Sequence, residues 1–288
     1  MSVILVTGSS TGIGQETALH MARKGHDVYA AVRSPETATE LKDLIAAEDL
    51  SVSVIKLDLV DPDSIVTAVA EIMARNGRID ALVNNAGIGG GRAVEETPMH
   101  EVREIFETNY FGNVNVLRAV TPIMRQQKSG RIVTVGSLAG RVVMGCHAHY
   151  SASKWAMEGL SEALAQEMAE FNVKVAIIEP GCVLTPIWGK GSLPTEPSPY
   201  LKSLQRLGRF FEFGLRRPAM PTDVASAIAH AIESDKPHFR YPVGPDAVES
   251  VAARAKVSDD EWLEANCLQG DAFSDRWLEL VGVDYYRD

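Results

Sequence analysis

Little in the chain points to an oxidising compartment, a membrane or a nucleic acid. It holds only three cysteines, Cys146, Cys182 and Cys267, widely spaced, with no CxxC pair and no histidine set at ligand spacing. That pattern indicates neither a disulfide framework nor a zinc site, and it fits a reducing compartment. No apolar run approaches the roughly 18 to 20 residues a membrane span needs. Val3 to Val6 runs straight into Gly8 as a strand, with no basic leader before it, so the expected location is cytoplasmic. Positive charge is in deficit: 28 Lys and Arg stand against 38 Asp and Glu, a net of −10. Such a balance disfavours polyanions and leaves small molecules or proteins as partners. Repeats, low-complexity runs and inter-domain linkers are also missing.

What is present is ordinary globular usage, with 45% apolar and 23% charged residues, 23 Gly and 14 Pro in 288 residues. That length allows one large domain or two small ones. The negative charge is concentrated at the end, where residues 241–288 carry 11 acidic and 4 basic side chains and leave a net of only −3 for the first 240.

Val3–Val6, Asp27–Val32, Ser53–Leu57, Asp80–Val83, Arg131–Val135 and Val173–Ile178 are short, mostly apolar runs, as expected of strands buried on both faces. Helical spacing lies between them, over Gln15–Lys24, Glu36–Ala47, Asp63–Arg75, one long stretch Met99–Gln126, and Ser151–Glu170. Strands alternating with helices predict an α/β fold, a single doubly wound parallel sheet of Rossmann type flanked by helices. Residues 186–221 break the rhythm with prolines at 186, 194, 197, 199, 218 and 221, and are expected to form an irregular excursion with short helices that acts as a substrate lid. A helix from Thr222-Asp223 and a last strand at Arg240–Val243 follow. The acidic end, 245–288, contains Trp262-Leu263 and Trp277-Leu278 and is expected to be a helical C-terminal extension of the same domain, because a disordered tail carries few large apolar residues.

Thr7-Gly8-Ser9-Ser10-Thr11-Gly12-Ile13-Gly14 follows the first strand and opens the first helix. Glycines there allow a tight turn and let backbone N–H groups at a helix N-terminus approach a pyrophosphate. Tyr150 and Lys154 are four apart, hence on one helix face. A phenol near pKa 10 is a poor proton donor or acceptor at neutral pH, and a nearby ammonium is expected to lower it, making a tunable general acid/base.

With the GxxxGxG spacing, Asn84-Asn85-Ala86-Gly87 after the fourth strand, Asn109 in the following helix, Ser137 after the fifth strand, Tyr150-x-x-x-Lys154, and Pro180-Gly181 after the sixth, residues 2–244 resemble the short-chain dehydrogenase/reductase family. Residues 1–244 are accordingly expected to form one dinucleotide-binding and catalytic domain. The resemblance implies a catalytic set of Asn109, Ser137, Tyr150 and Lys154. Ser137 would orient the substrate carbonyl against Tyr150, Lys154 would also bond the nicotinamide ribose, and Asn109 would anchor a water in a proton relay behind Lys154. It implies cofactor contacts from Gly8, Ser10, Thr11, Gly12, Ile13 and Gly14, from Asp58 and Leu59 at the adenine, from Asn84 beside the adenosine ribose, and from Ala86 and Gly87. Pro180 and Gly181 open a cofactor-binding segment in which the Val183 backbone and the Thr185 hydroxyl would hold the nicotinamide carboxamide, with transfer of the pro-S hydride. Met144 and His147 would line the substrate pocket. No metal is implied.

Cofactor choice turns on Ala31-Val32-Arg33-Ser34 at the end of the second strand. Val32 offers no carboxylate to a ribose 2′-hydroxyl, whereas Arg33 suits a 2′-phosphate, so NADP(H) is expected in preference to NAD(H). The expected activity is an oxidoreductase acting on CH–OH groups, a carbonyl reductase or alcohol dehydrogenase resembling relatives that act on hydroxysteroids and other lipophilic alcohols. A nucleotide-sensing or scaffold protein of the same fold is the alternative. By the same resemblance a homodimer or homotetramer is expected, with Trp155, Leu160, Leu164 and Met168 available on its helix either for pairing or for the chain's own core.

Overall fold

The computed structural model describes residues 1–186 and 198–287. Seven parallel strands, β1 (Val3–Thr7), β2 (Asp27–Val32), β3 (Val52–Lys56), β4 (Ala81–Asn84), β5 (Gly130–Val135), β6 (Val173–Pro180) and β7 (Arg240–Val243), lie in the order β3-β2-β1-β4-β5-β6-β7. The direction of winding reverses between β1 and β4, which pair Ile4 with Ala81 and Val6 with Val83. A crevice opens there at the carboxyl ends of the strands, the usual ligand position in open α/β sheets.

Strand composition follows from double-sided burial. Along β1, Ile4 and Val6 pack into one hydrophobic layer and Val3 and Leu5 into the opposite one, as alternation along a strand requires. The first layer is closed by α1 (Gly12–Arg23), α2 (Thr39–Glu48) and α8 (Pro221–Glu233), through Leu19, Leu41, Val224 and Ile228 among others. Across the sheet, α3 (Pro62–Asn76), α5 (Asn113–Gln127) and α6 (Ala148–Ala169) contribute Ile65, Ile72, Val116, Val120, Leu164 and Met168. Helix α3 shows why such segments start where they do: Pro62 supplies a preset φ, Asp61 accepts a hydrogen bond from the Ser64 amide at 3.3 Å, and Gly77 ends the helix at φ +68°.

Two expectations need correction. Residues 99–126 are not one regular helix. They form α4 (Met99–Phe106), a wide π turn at Glu107–Gly112, and α5. Gly112 faces Leu59, where a Cβ would stand 2.6 Å from the Leu59 Cβ, so the chain crosses the β3–α3 loop too closely for any side chain. Nor is the excursion merely irregular with short helices. Its described part contains a 16-residue helix, α7 (Leu201–Arg216), while Pro194 and Pro197 lie outside the described residues. Beyond β7 the acidic end folds into α9 (Pro245–Arg254), α10 (Asp259–Cys267) and α11 (Gly270–Val281). Trp262, Phe273, Trp277, Tyr285 and Tyr286 form a third apolar cluster with Phe210 of α7 and with Leu138 and Val142. On α6, Leu164 and Met168 are buried in the sheet's own core while Trp155 stays half exposed. Among the described residues no helix is long and apolar enough to cross a membrane.

Candidate functional site

The chain turns after β1 through Gly8 and Gly12, both in the left-handed region at φ +68° and +64°. Gly14 is needed for a different reason, since a Cβ there would stand 2.3 Å from the Gly8 carbonyl oxygen and 2.5 Å from Asn85 Nδ2. Asn85 braces the turn by donating to the carbonyls of Thr7 and Gly8 at 2.8 and 3.3 Å, and the Thr7 hydroxyl accepts from the amides of Asn85 and Ala86 at 2.9 and 3.1 Å. The Asn84-Asn85-Ala86-Gly87 segment is thus bolted to the glycine loop. Asn85, which sequence reasoning passed over as a site residue, is the bolt. Replacing Gly14 by Ala is expected to cost about 1–3 kcal/mol through overpacking against backbone and to open the loop, which melting and nucleotide-binding measurements on the variant would register together. Unchanged values for both would show that the loop is not held as tightly as the packing indicates.

This loop fits an anionic ligand on its own evidence. Thr11, at the N-cap of α1, makes no side-chain cap, and the first turn of α1 carries no acidic residue. Its N–H groups therefore face the crevice without a protein anion, as a pyrophosphate site requires. Val32 is buried and Arg33, just past β2, is exposed, with no hydrogen bond or ion pair among the described residues. Asp58 caps its own loop, its carboxylate accepting from the Val60 amide at 3.2 Å, and Leu59 is buried. Asn84 is buried and donates to the Asn113 carbonyl at 3.3 Å, leaving its own Oδ1 unpartnered.

Across the crevice, Ser137 follows β5 and caps a short turn at Leu138–Gly140, its hydroxyl accepting from the Ala139 amide at 3.1 Å. Tyr150 and Lys154 project from the first turns of α6, with Lys154 Nζ 5.8 Å from the centre of the Tyr150 ring. Lys154 is 6% exposed and donates to the Val135 carbonyl at 3.1 Å. Burial holds its ammonium down to about 8, against a smaller upward pull from the Glu158 carboxylate one turn further along α6. Burial pushes the Tyr150 phenol up, and the Ser137 side chain pulls it partly back. The lowering of Tyr150 expected from Lys154 does not set its direction: burial does, and a phenol raised above its ordinary value is protonated at neutral pH.

Asn109 sits within the π turn, a deviation that often marks functional sites. Its Oδ1 accepts from the Ile88 amide at 2.8 Å, and its Nδ2 donates to the Ile88 carbonyl at 2.9 Å and to the Ser153 hydroxyl at 3.1 Å. A Cβ on Gly87 would lie 3.1 Å from Asn109 Oδ1 and 3.7 Å from Lys154 Nζ, so Gly87, Asn109 and Lys154 meet at one point. The Pro180–Thr185 segment closes the crevice from the other side. A Cβ on Gly12 would come within 3.3 Å of the Thr185 side chain, and Val183 forms a β-bridge with Ala219.

His147 stacks on Tyr150 with ring centres 4.7 Å apart, and Phe211 of α7 meets His147 edge-on at 5.6 Å. Burial lowers the His147 imidazole to about 4, so at neutral pH it carries no charge and presents its ring face to Tyr150. Met144 packs in the same apolar cluster as Phe211. Of three phenylalanines on α7, Phe210 and Phe213 pack on Tyr285, at 5.3 and 4.4 Å, and Phe211 meets His147. Sequence reasoning also missed the ionic cluster behind Lys154. Glu179 is fully buried and receives Arg141 at 2.9 Å and Arg240 at 3.4 Å, and Arg240 also donates to Glu158 at 3.0 Å. These residues are scattered over a hundred positions and carry no motif.

A parallel sheet in this order, with a glycine-braced helix N-terminus at its switch point and a serine, a tyrosine and a lysine across the crevice, defines a Rossmann-type dinucleotide-binding fold of the oxidoreductase kind. The short chain dehydrogenase family model matches residues 2–193. The chain belongs to that family. It is 37% identical over 269 residues, 90% of this chain and 96% of the relative, to the oxidoreductase BOA17 of Botryotinia fuckeliana. It is 34% identical over 271 residues, covering 93% and 95% of the two chains, to the 3-ketodihydrosphingosine reductase of Bacteroides thetaiotaomicron. Among solved structures it resembles a short-chain dehydrogenase from Streptomyces avermitilis with a TM-score of 0.82 at 36% identity, over 91% of this chain and 95% of that one.

Proposed function

We propose that the protein is an NADP(H)-dependent reductase of lipophilic ketones or aldehydes, also able to run the reverse oxidation. The observation that carries this reading is the alignment of half-buried Ser137 and Tyr150 with buried Lys154, together with the uncapped N-terminus of α1 and a wall of His147, Met144 and Phe211. The glycine loop, Arg33, Lys154 and the Val183–Thr185 segment would hold the cofactor. When bound, the reduced nicotinamide supplies a hydride to the carbonyl carbon. Ser137 orients the carbonyl oxygen, Tyr150 delivers its proton to that oxygen as the alcohol forms, and the Lys154 ammonium stabilises the phenolate left behind. Asn109 fixes Ile88 and Ser153 and thereby the wall against which Lys154 lies. The name of the Bacteroides relative, 3-ketodihydrosphingosine reductase, favours a lipophilic ketone as substrate. Half-exposed Trp155 on α6 suits pairing with a second copy, to be measured as mass in solution.

The test is NADPH and NADH oxidation by the isolated protein across apolar ketones and aldehydes, with wild type and Arg33→Ala in parallel. A charge-assisted phosphate contact is worth about 1.5–3 kcal/mol. The variant should therefore lose about ten-fold or more in apparent NADPH affinity while NADH values hardly move. A wild-type preference for NADH, or no turnover on any carbonyl, overturns the proposal.

A further inference from the structure

The carboxylate of Asp246 is buried at 2% exposure, although it belongs to the first helical turn of the acidic C-terminal extension. Two glycines make room for it and a third for its neighbour Cys182. A Cβ on Gly181 would lie 2.0 Å from Asp246 Oδ1 and one on Gly244 2.9 Å from the same atom, while one on Gly214 would lie 2.5 Å from the Cys182 Sγ. Those glycines come from the loop after β6, the turn after β7, and α7. Oδ2 accepts from the Cys182 amide at 2.7 Å, and Oδ1 has no hydrogen-bond partner among the described residues.

The Cys182 amide is the start of the segment that closes the crevice. The Gly181 amide donates to the Val243 carbonyl at 2.9 Å, the Ala219 amide to the Cys182 carbonyl at 2.9 Å, and the Leu184 amide to the Ala219 carbonyl at 3.0 Å. These three bonds run between backbone groups, whereas the Cys182 amide donates to a carboxylate from the extension. Burying a carboxylate is costly unless it is hydrogen-bonded, and a core could be closed here by an apolar residue in less space.

We propose that Asp246 is a positioning residue for the nicotinamide half of the cofactor site, holding Cys182 so that Val183 and Thr185 meet the carboxamide in a fixed geometry. The inference rests on the reading of the 180–185 segment given above, and it assigns the extension a role in the site through its first turn.

Asp246→Ala, the shorter polar Asp246→Ser and the near-isosteric Asp246→Asn separate positioning from simple folding. Hydrogen–deuterium exchange over residues 181–186 needs no cofactor, and dissociation constants are measured for NADPH and for 2′,5′-ADP, which lacks the nicotinamide half. Asp246→Ala and Asp246→Ser should accelerate exchange in this segment and weaken NADPH about ten-fold, equivalent to one factor of ten in the binding constant, with 2′,5′-ADP unchanged. Asp246→Asn retains an acceptor and should restore most of both. Unchanged exchange, or equal weakening of the two nucleotides, overturns the proposal. Wild-type protein that binds neither nucleotide overturns instead the reading of function, and exchange alone then decides whether Asp246 anchors the loop.

Discussion

Tyr150→Phe is expected to lower turnover by about 10³-fold, the middle of the range for loss of a positioned general acid, with NADPH affinity changed less than about three-fold. The substitution is informative because so little else changes. The ring keeps its volume, its stack on His147 at 4.7 Å and its contact with Lys154 at 5.8 Å. Ser137 keeps its bond from the Ala139 amide, so the carbonyl-orienting hydroxyl is not released. What is lost is the phenolic hydroxyl, with its proton and its hydrogen bond to the Ser137 side chain. At neutral pH that proton is in place, because burial raises the phenol, and the reductive direction needs no prior ionisation of Tyr150. Single-turnover reduction with saturating NADPH isolates the step. A rate within about ten-fold of wild type would mean that water or another side chain delivers the proton, and the proposed mechanism would fall.

Much of this arrangement is legible in the sequence, and what is not has identifiable causes. Doubly buried strands announce themselves as apolar runs, and Arg240–Val243 was found despite its proline because that strand lies at the sheet edge. Tyr150 and Lys154 share a face because four residues make one helical turn. The π turn is invisible to a periodicity argument, since inserting a wide turn leaves the apolar spacing on both sides intact; it is enforced by the contact of Gly112 with Leu59, 53 positions away in the chain. Helix α7 was obscured by the prolines around it, although Leu204, Leu207, Phe210 and Phe211 keep helical spacing. Asp246 and the Arg141, Glu158, Glu179 and Arg240 cluster look like solvated surface charge in one dimension. The burial of Asp246, Glu158 and Glu179, and the half-burial of the two arginines, follow from strand order, which brings the ends of β6 and β7 beside α6 and α9.

Lys154→Met should abolish turnover to a similar degree, about 10³-fold, while leaving the fold about as stable as before. Desolvation lowers the ammonium from 10.5 to about 8, which corresponds to a penalty of about 3 kcal/mol for keeping it charged at neutral pH. Methionine removes that penalty but leaves the Val135 carbonyl without its donor, at a cost of about 1–3 kcal/mol, so the two changes nearly cancel. The sign of the pH dependence follows from proton binding. Between about 8 and 10.5 the unfolded chain holds a proton that the folded chain has released, so the stability of wild type relative to the variant rises with pH across that window; below 8 the penalty is complete. Activity runs the other way. Above pH 8 the ammonium that steadies the Tyr150 phenolate is lost, and the reductive rate should fall on a limb near that value. Glu158 raises Lys154 and is itself lifted to about 7, first by burial and then by the charge of Glu179. Glu158→Gln should therefore move the limb to lower pH while Tyr150 stays in place. Paired melting curves and pH–rate profiles for wild type, Lys154→Met and Glu158→Gln make the comparison. A limb that stays put in Glu158→Gln, or a melting point that collapses in Lys154→Met, would show that Lys154 serves the fold rather than the proton.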